Sequence, residues 1–172
     1  MKNLPEAFTT KPFKIVAIVS GPEPQRKILE DILESELVKA DLPALLVQGL
    51  PCENYPLEQT FGNLKKVSFM DTEKLMFAIN KSETVICRCG YSSVMDMVTL
   101  NKKAVFIPTP GQPEQEYLAA RLTENKWFYH ESQDNFNLLR ALERSKNFSF
   151  PASGSNLGML TGLIERLKKN QM

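Results

Sequence analysis

The sequence predicts an α/β fold, a doubly wound and mostly parallel sheet with helices on both faces. Two observations predict it. Nearly unbroken apolar runs such as Lys14-Ile-Val-Ala-Ile-Val-Ser20 and Glu83-Thr-Val-Ile-Cys-Arg88 read as strands covered on both sides. These runs alternate about five times with stretches that carry apolar residues at helical spacing. Right-handed crossovers then place each strand-to-helix turn on the carboxyl edge of the sheet, where folds of this class bind their ligands.

After a flexible lead-in over residues 1–12, one domain is expected over residues 13–172. The first strand covers Lys14–Ser20, Gly21-Pro-Glu-Pro24 turns the chain, and residues 25–39 carry Ile28, Ile32, Leu33 and Leu37 at helical spacing. A second strand over 42–49 precedes a surface excursion over 50–63, broken by Pro51, Pro56 and Gly62, and then a short strand over 67–70. Asp71 is suited to cap a helix that runs to Asn80, with Leu75, Met76 and Ile79 turned inward. Glu83–Arg88 is the next strand and Cys89–Ser93 its turn. The following helix presents Val94, Met97, Val98 and Leu100 to the sheet. A strand over 103–108, a loop over 109–113 and a helix over 114–123 with Tyr117, Leu118 and Leu122 continue the alternation. A short strand over 127–129, a helix over 134–144, a polar loop through Ser155 and a final helix over 156–169 complete it.

Composition removes several classes of function. Lys and Arg total 21 against 20 Asp and Glu, a net charge of +1, so no long-range field draws the chain to nucleic acid. Cys52, Cys87 and Cys89 are too few for a tetrahedral zinc site, and an odd number argues against a disulfide framework, so a reducing cytoplasm fits best. Cys87 and Cys89 lie two apart and point the same way; Cys87 reads as strand packing, and Cys89 is expected to be exposed in the turn. No segment approaches the ~20 apolar residues of a membrane span, and the first residues lack the apolar stretch of a secretory leader. The lone histidine, His130, is read as structural or as a surface residue, and Trp127 and Phe128 as core. A single histidine excludes sites built from several, and no Ser-His-Asp arrangement is present.

Three turns of unusual composition outline one crevice on the carboxyl edge. The first, Ser20-Gly21-Pro22-Glu23-Pro24-Gln25-Arg26, offers glycine backbone and a helix start to an anion, with Arg26 as a supplementary charge, or is a plain tight turn. It lacks the lysine of a triphosphate loop and the glycine triplet of a dinucleotide fingerprint. In the second, Arg88-Cys89-Gly90-Tyr91-Ser92-Ser93, glycine sits where strand becomes helix. The amides of Tyr91, Ser92 and Ser93 are placed for a diphosphate, and Asp96, one turn further on, for ribose hydroxyls. Ordinary capping by serine and aspartate is the alternative. The third, Pro108-Thr-Pro-Gly-Gln-Pro-Glu-Gln-Glu-Tyr117, is stiffened by proline. Its Gln112, Glu114, Gln115 and Glu116 can bond sugar hydroxyls or form a solvated first helical turn.

The run from Val85 to Asp96, followed by Lys103 to Ala119, resembles the C-terminal domain of family 28 glycosyltransferases, two-domain enzymes of the GT-B type. The resemblance covers roughly residues 13–169. It implies a domain that binds a UDP-sugar as donor substrate, with no permanently bound cofactor or metal, while an N-terminal domain binds the acceptor and carries the general base. Ser20 and Gly21 would then face the diphosphate side of the cleft, and Gly90, Ser92 and Ser93 would form the phosphate turn. Asp96 stands where the family usually has a glutamate on the ribose. Gln115 and Glu116 fall where the peptidoglycan enzyme has two adjacent glutamines near the donor sugar, so the sugar, expected to be an N-acetylhexosamine, is left open. Arg88 matches an arginine common before the turn, either touching phosphate or supporting the loop. Only about a dozen residues precede the first strand. The acceptor domain is therefore expected in a longer protein, or in a separate subunit as in the two-subunit dolichol-linked transferase. Transfer by this chain alone is expected to be slight, at a cytoplasmic site peripheral to a membrane when complete. A nucleotide-sugar-binding module without catalysis, and a nucleotide-sugar hydrolase or epimerase, are the alternatives.

Overall fold

The structure, a computed structural model, describes residues 12–50, 57–150, 158 and 160–162. Seven strands form one sheet: β1 (Ile15–Ile18), β2 (Ala44–Val47), β3 (Glu58–Phe61), β4 (Leu64–Val67), β5 (Thr84–Cys87), β6 (Ala104–Phe106) and β7 (Tyr129–His130). Their order across the sheet is β3-β4-β2-β1-β5-β6-β7, and every pairing is parallel except that of β3 with β4. The helices are α1 (Gln25–Ala40), α2 (Thr72–Lys81), α3 (Tyr91–Thr99), α4 (Pro113–Glu124) and α5 (Leu138–Ser145).

Strand periodicity divides the core into two layers. On one face Val16, Leu45, Val85, Cys87 and Phe106 pack with Ala78 and Ile79 of α2, Val94 and Met97 of α3, and Leu118 and Leu122 of α4. On the other, Ile15, Ala17, Leu46, Ile86 and Val105 pack with Leu29, Leu33 and Leu37 of α1 and with Leu138 and Ala141 of α5. Trp127 and Phe128 are buried, Trp127 edge-on to Phe150 and Phe128 edge-on to Phe106. The expected doubly wound α/β architecture is thus present.

Several local expectations differ. The excursion over 50–63 contains β3, which folds back on β4 through Gly62 and Asn63, with Gly62 at a φ of 58°. All four β3 residues are exposed, so this edge strand carries no apolar alternation to betray it. The strand expected at 67–70 lies at 64–67, because only Leu64 and Val67 go inward while Lys65 and Lys66 reach out to Glu58 and Glu34. In α1, Leu33 and Leu37 are buried as expected, but Ile28 is exposed, and Arg26, Leu29 and Glu30 are buried as well. Met76 is likewise exposed on α2. The short strand expected at 127–129 is Tyr129–His130, Trp127 and Phe128 belonging to the turn before it. The helix expected over 134–144 is a 3₁₀ turn at Gln133–Asn135 followed by α5, whose start is capped by the Asn137 side chain accepting from Arg140 N. Residues 158 and 160–162 are helical; the rest of the helix expected over 156–169, Cys52 and the lead-in before residue 12 lie outside the described residues.

Candidate functional site

Strands β1 and β5 are neighbours, yet α1 leaves β1 for one face of the sheet and α3 leaves β5 for the other. This divergence makes the carboxyl edge between β1 and β5 the switch point of the sheet, the place where doubly wound folds bind ligands. Strand β6 adjoins β5, so the turns singled out in the sequence follow three adjacent strands. Next to them the exit of β2 packs tightly: a Cβ on Gly49, at φ 67°, would lie 2.4 Å from Val19 O.

A helix start carries a partial positive charge and unpaired amides, so its capping decides whether an external anion can use it. At α1, Glu23 accepts from Lys27 N at 3.1 Å and from Arg26 Nε at 2.6 Å. Arg26 also pairs with Glu30 at 2.7 Å and is 6 % exposed, so the supplementary charge expected of it is already neutralised within the chain. Ser20 and Gly21, the latter at φ 108°, are exposed beside it. Asp71 caps α2 by accepting from Lys74 N, and Asn137 caps α5. Helix α4 has Glu114 and Glu116 in its first turn. Helix α3 differs: Gly90 stands at its cap position and has no side chain to cap with, and its first turn has no acid. Among the described helices, α3 alone combines a glycine cap, a position beside the switch point and no acidic residue in its first turn.

Gly90 has φ −81° and ψ 153°, angles that any residue adopts, and a Cβ there would meet only Ser93 Oγ, at 3.9 Å. Neither its φ nor packing requires glycine here, beyond the mild preference of a helix cap for it. A ligand lying against the backbone would. Ser92 is exposed and Ser93 half-buried, with no hydrogen bond to either hydroxyl among the described residues, and Tyr91 and Asp96 are exposed nearby.

The loop between β6 and α4 is held by the residues expected to meet sugar. Gln115 Oε1 accepts from Thr109 N at 3.0 Å and Thr109 Oγ1 at 3.2 Å, Gln115 Nε2 donates to Gln112 Oε1, and Glu116 Oε1 accepts from Gly111 N at 3.0 Å. These bonds pre-shape the loop. Glu114 stays exposed.

Arg88 points inward. It is 2 % exposed and donates to Ile107 O (3.3 Å), Pro108 O (3.2 Å), Gln25 O (2.7 Å) and Gln133 Oε1 (2.7 Å). These bonds tie Arg88 to the loops that begin α1 and follow β6. Gln133 in turn donates to Gln25 Oε1 at 2.9 Å. Sequence reasoning placed Gln25 and Thr109 in the first and third turns without a role of their own and missed Gln133, which lies 45 residues from Arg88 with no local pattern to announce the contact.

Burial fixes the protonation of the remaining candidates. It pushes the Cys87 thiol up to about 12, with a further push from Asp96, and raises Cys89 further. Cys89 is 1 % exposed, which overturns its expected exposure: the turn begins after it, and its side chain shares the core layer of Cys87. Burial lowers His130 below its ordinary value against an opposing pull from Glu131, and its Nδ1 lies 2.6 Å from Thr123 Oγ1.

The fold defines a class: α/β domains built on a doubly wound, mostly parallel sheet, which bind their ligands at its carboxyl edge. Within it, the glycosyltransferase family 28 C-terminal domain matches residues 16–146, and the chain belongs to that family. Solved structures share the fold. The NMR structure of ALG13 superposes with a TM-score of 0.62 at 16% identity, covering 93% of this chain and 99% of that one. MurG of Acinetobacter baumannii gives 0.57 at 16% identity over 91% of this chain and 50% of that one. The glycosyltransferase SnogD from Streptomyces nogalater gives 0.53 at 13% identity over 88% and 43%. This chain therefore spans nearly all of the first and half or less of the other two. A comparison with curated protein sequences gives no match. Among the described residues no helix is long and apolar enough to cross a membrane.

Proposed function

We propose that this domain binds the donor of a glycosyl transfer, a UDP-hexose of the N-acetylhexosamine type, and passes the sugar to an acceptor held by a second domain or subunit. The observation that carries this reading is the α3 start, capped by glycine and free of acid in its first turn beside the switch point while Glu23 closes the start of α1. In the proposed arrangement the diphosphate lies against Gly90, the amides of Tyr91, Ser92 and Ser93, and the hydroxyls of the two serines. Asp96 accepts from the ribose, and the loop of Gln112, Glu114, Gln115 and Glu116 faces the sugar, with Ser20 and Gly21 on the opposite wall. Transfer leaves new negative charge on the departing diphosphate, and a fixed helix start meets that charge without reorganising. The same dipole takes the part that a metal cation plays in other transferases. The base that accepts the proton of the acceptor hydroxyl belongs to the second domain.

Calorimetric titration with UDP, UDP-N-acetylglucosamine, other nucleotide sugars and NAD tests the reading. Selective binding of one UDP-sugar, weakened in Ser92→Ala and Asp96→Asn, is expected; binding of NAD in preference to every UDP compound would refute it. Mixed with a family acceptor domain, the chain is expected to restore transfer, which a binding module without catalysis would not do.

A further inference from the structure

A buried guanidinium is ordinarily matched by a carboxylate, since an unpaired buried charge costs far more than a hydrogen bond returns. The other buried cation among the described residues follows the rule: Arg26 is paired with Glu23 and Glu30. Arg88 does not. Its four bonds go to neutral oxygens, its Nε has no partner, and no carboxylate of the described residues forms an ion pair with it. The geometry of those bonds is specific. They join the residue that leads into the α3 start to the first residue of α1, to the beginning of the β6–α4 loop and to Gln133, all at the carboxyl edge.

We infer that Arg88 is a positioning residue of the donor site, one that fixes three site turns relative to one another and holds an uncompensated positive charge for the arriving diphosphate. The inference rests on the donor-site reading above. A standing cation without a counter-ion strains the empty protein and is relieved when an anion binds, so it favours charged ligands over neutral ones of the same shape. Gln133 is the residue that keeps the charge uncompensated. Its amide oxygen accepts from the guanidinium as a carboxylate oxygen would, without neutralising it.

Gln133→Glu tests this without removing Arg88. The variant keeps the acceptor at the same place, Gln25 can turn its amide to donate to it, and the guanidinium gains a buried counter-ion. Affinities for UDP and for neutral uridine are measured by ligand-observed NMR in the wild type, Gln133→Glu, Arg88→Lys and Arg88→Met, with thermal melts to confirm folding. In Gln133→Glu the expected loss for UDP is on the order of 10-fold with uridine changed less than about twofold, and Arg88→Lys is expected to hold UDP better than Arg88→Met. Equal losses for UDP and uridine, or no loss, in Gln133→Glu would overturn the inference and leave the donor site standing. A wild-type chain that binds neither ligand would overturn the donor-site reading and this inference with it.

Discussion

Gly90 could carry a side chain as far as the fold is concerned, so its substitution separates stability from binding. Gly90→Ala is expected to lower unfolding free energy by no more than about 1 kcal/mol, the ordinary cost of alanine at a helix cap, measured by urea denaturation. The same change is expected to weaken UDP binding on the order of 10-fold, because the added methyl holds the diphosphate off the backbone. Glu131 is a second informative residue. Burial by itself would raise its pKa, but Arg140 at 2.8 and 3.0 Å, Asn137 N at 3.1 Å and Tyr129 OH at 2.9 Å together hold it below the ordinary carboxylate range. A carboxylate depressed in the folded state stabilises above its unfolded pKa, about 4.3, and loses that contribution as pH falls through the folded value. The melting temperature is therefore expected to drop between neutral pH and the acid range more steeply in the wild type than in Glu131→Gln, which starts lower. At this scale the sequence marked Gly90, Ser92 and Ser93 through their composition, whereas the burial of Cys89 and the contact of Arg88 with Gln133 depend on packing between segments far apart in the chain.

Elements were legible where one periodicity ruled them. Strands β1, β2, β5 and β6 are apolar on both faces, and their runs are visible in the sequence. Strand β3 was not, since an edge strand exposed on every residue has no face to bury, and β4 was shifted by its two lysines. The expected helix over 134–144 merged two elements because the break at Phe136 and Asn137 involves neither glycine nor proline. Helix α2 was readable at its start, where Asp71 accepts from Lys74 N at 2.9 Å. Asp71→Ala is expected to lower stability by about 1 kcal/mol with no change in UDP affinity, since its cap lies on a helix outside the proposed site. A melt together with a UDP titration checks both parts.

For the whole molecule, strand order turns a list of motifs into a site. The turns after β1, β5 and β6 lie far apart in the chain, and the order β2-β1-β5-β6 makes them neighbours. That adjacency follows from right-handed crossovers and was predictable, but the electrostatic contrast between the helix starts was not, because it depends on where Glu23 and Arg26 place their side chains. The central claim is that a nucleotide diphosphate sits at the α3 start. Its most direct test is an NMR titration that follows backbone amide shifts as UDP is added. The account predicts the largest and saturable shifts at Gly90, Tyr91, Ser92 and Ser93, with smaller ones across Thr109 to Glu116. Saturable shifts confined to the α1 start, or to the opposite edge of the sheet near Lys14 and Lys103, would contradict it.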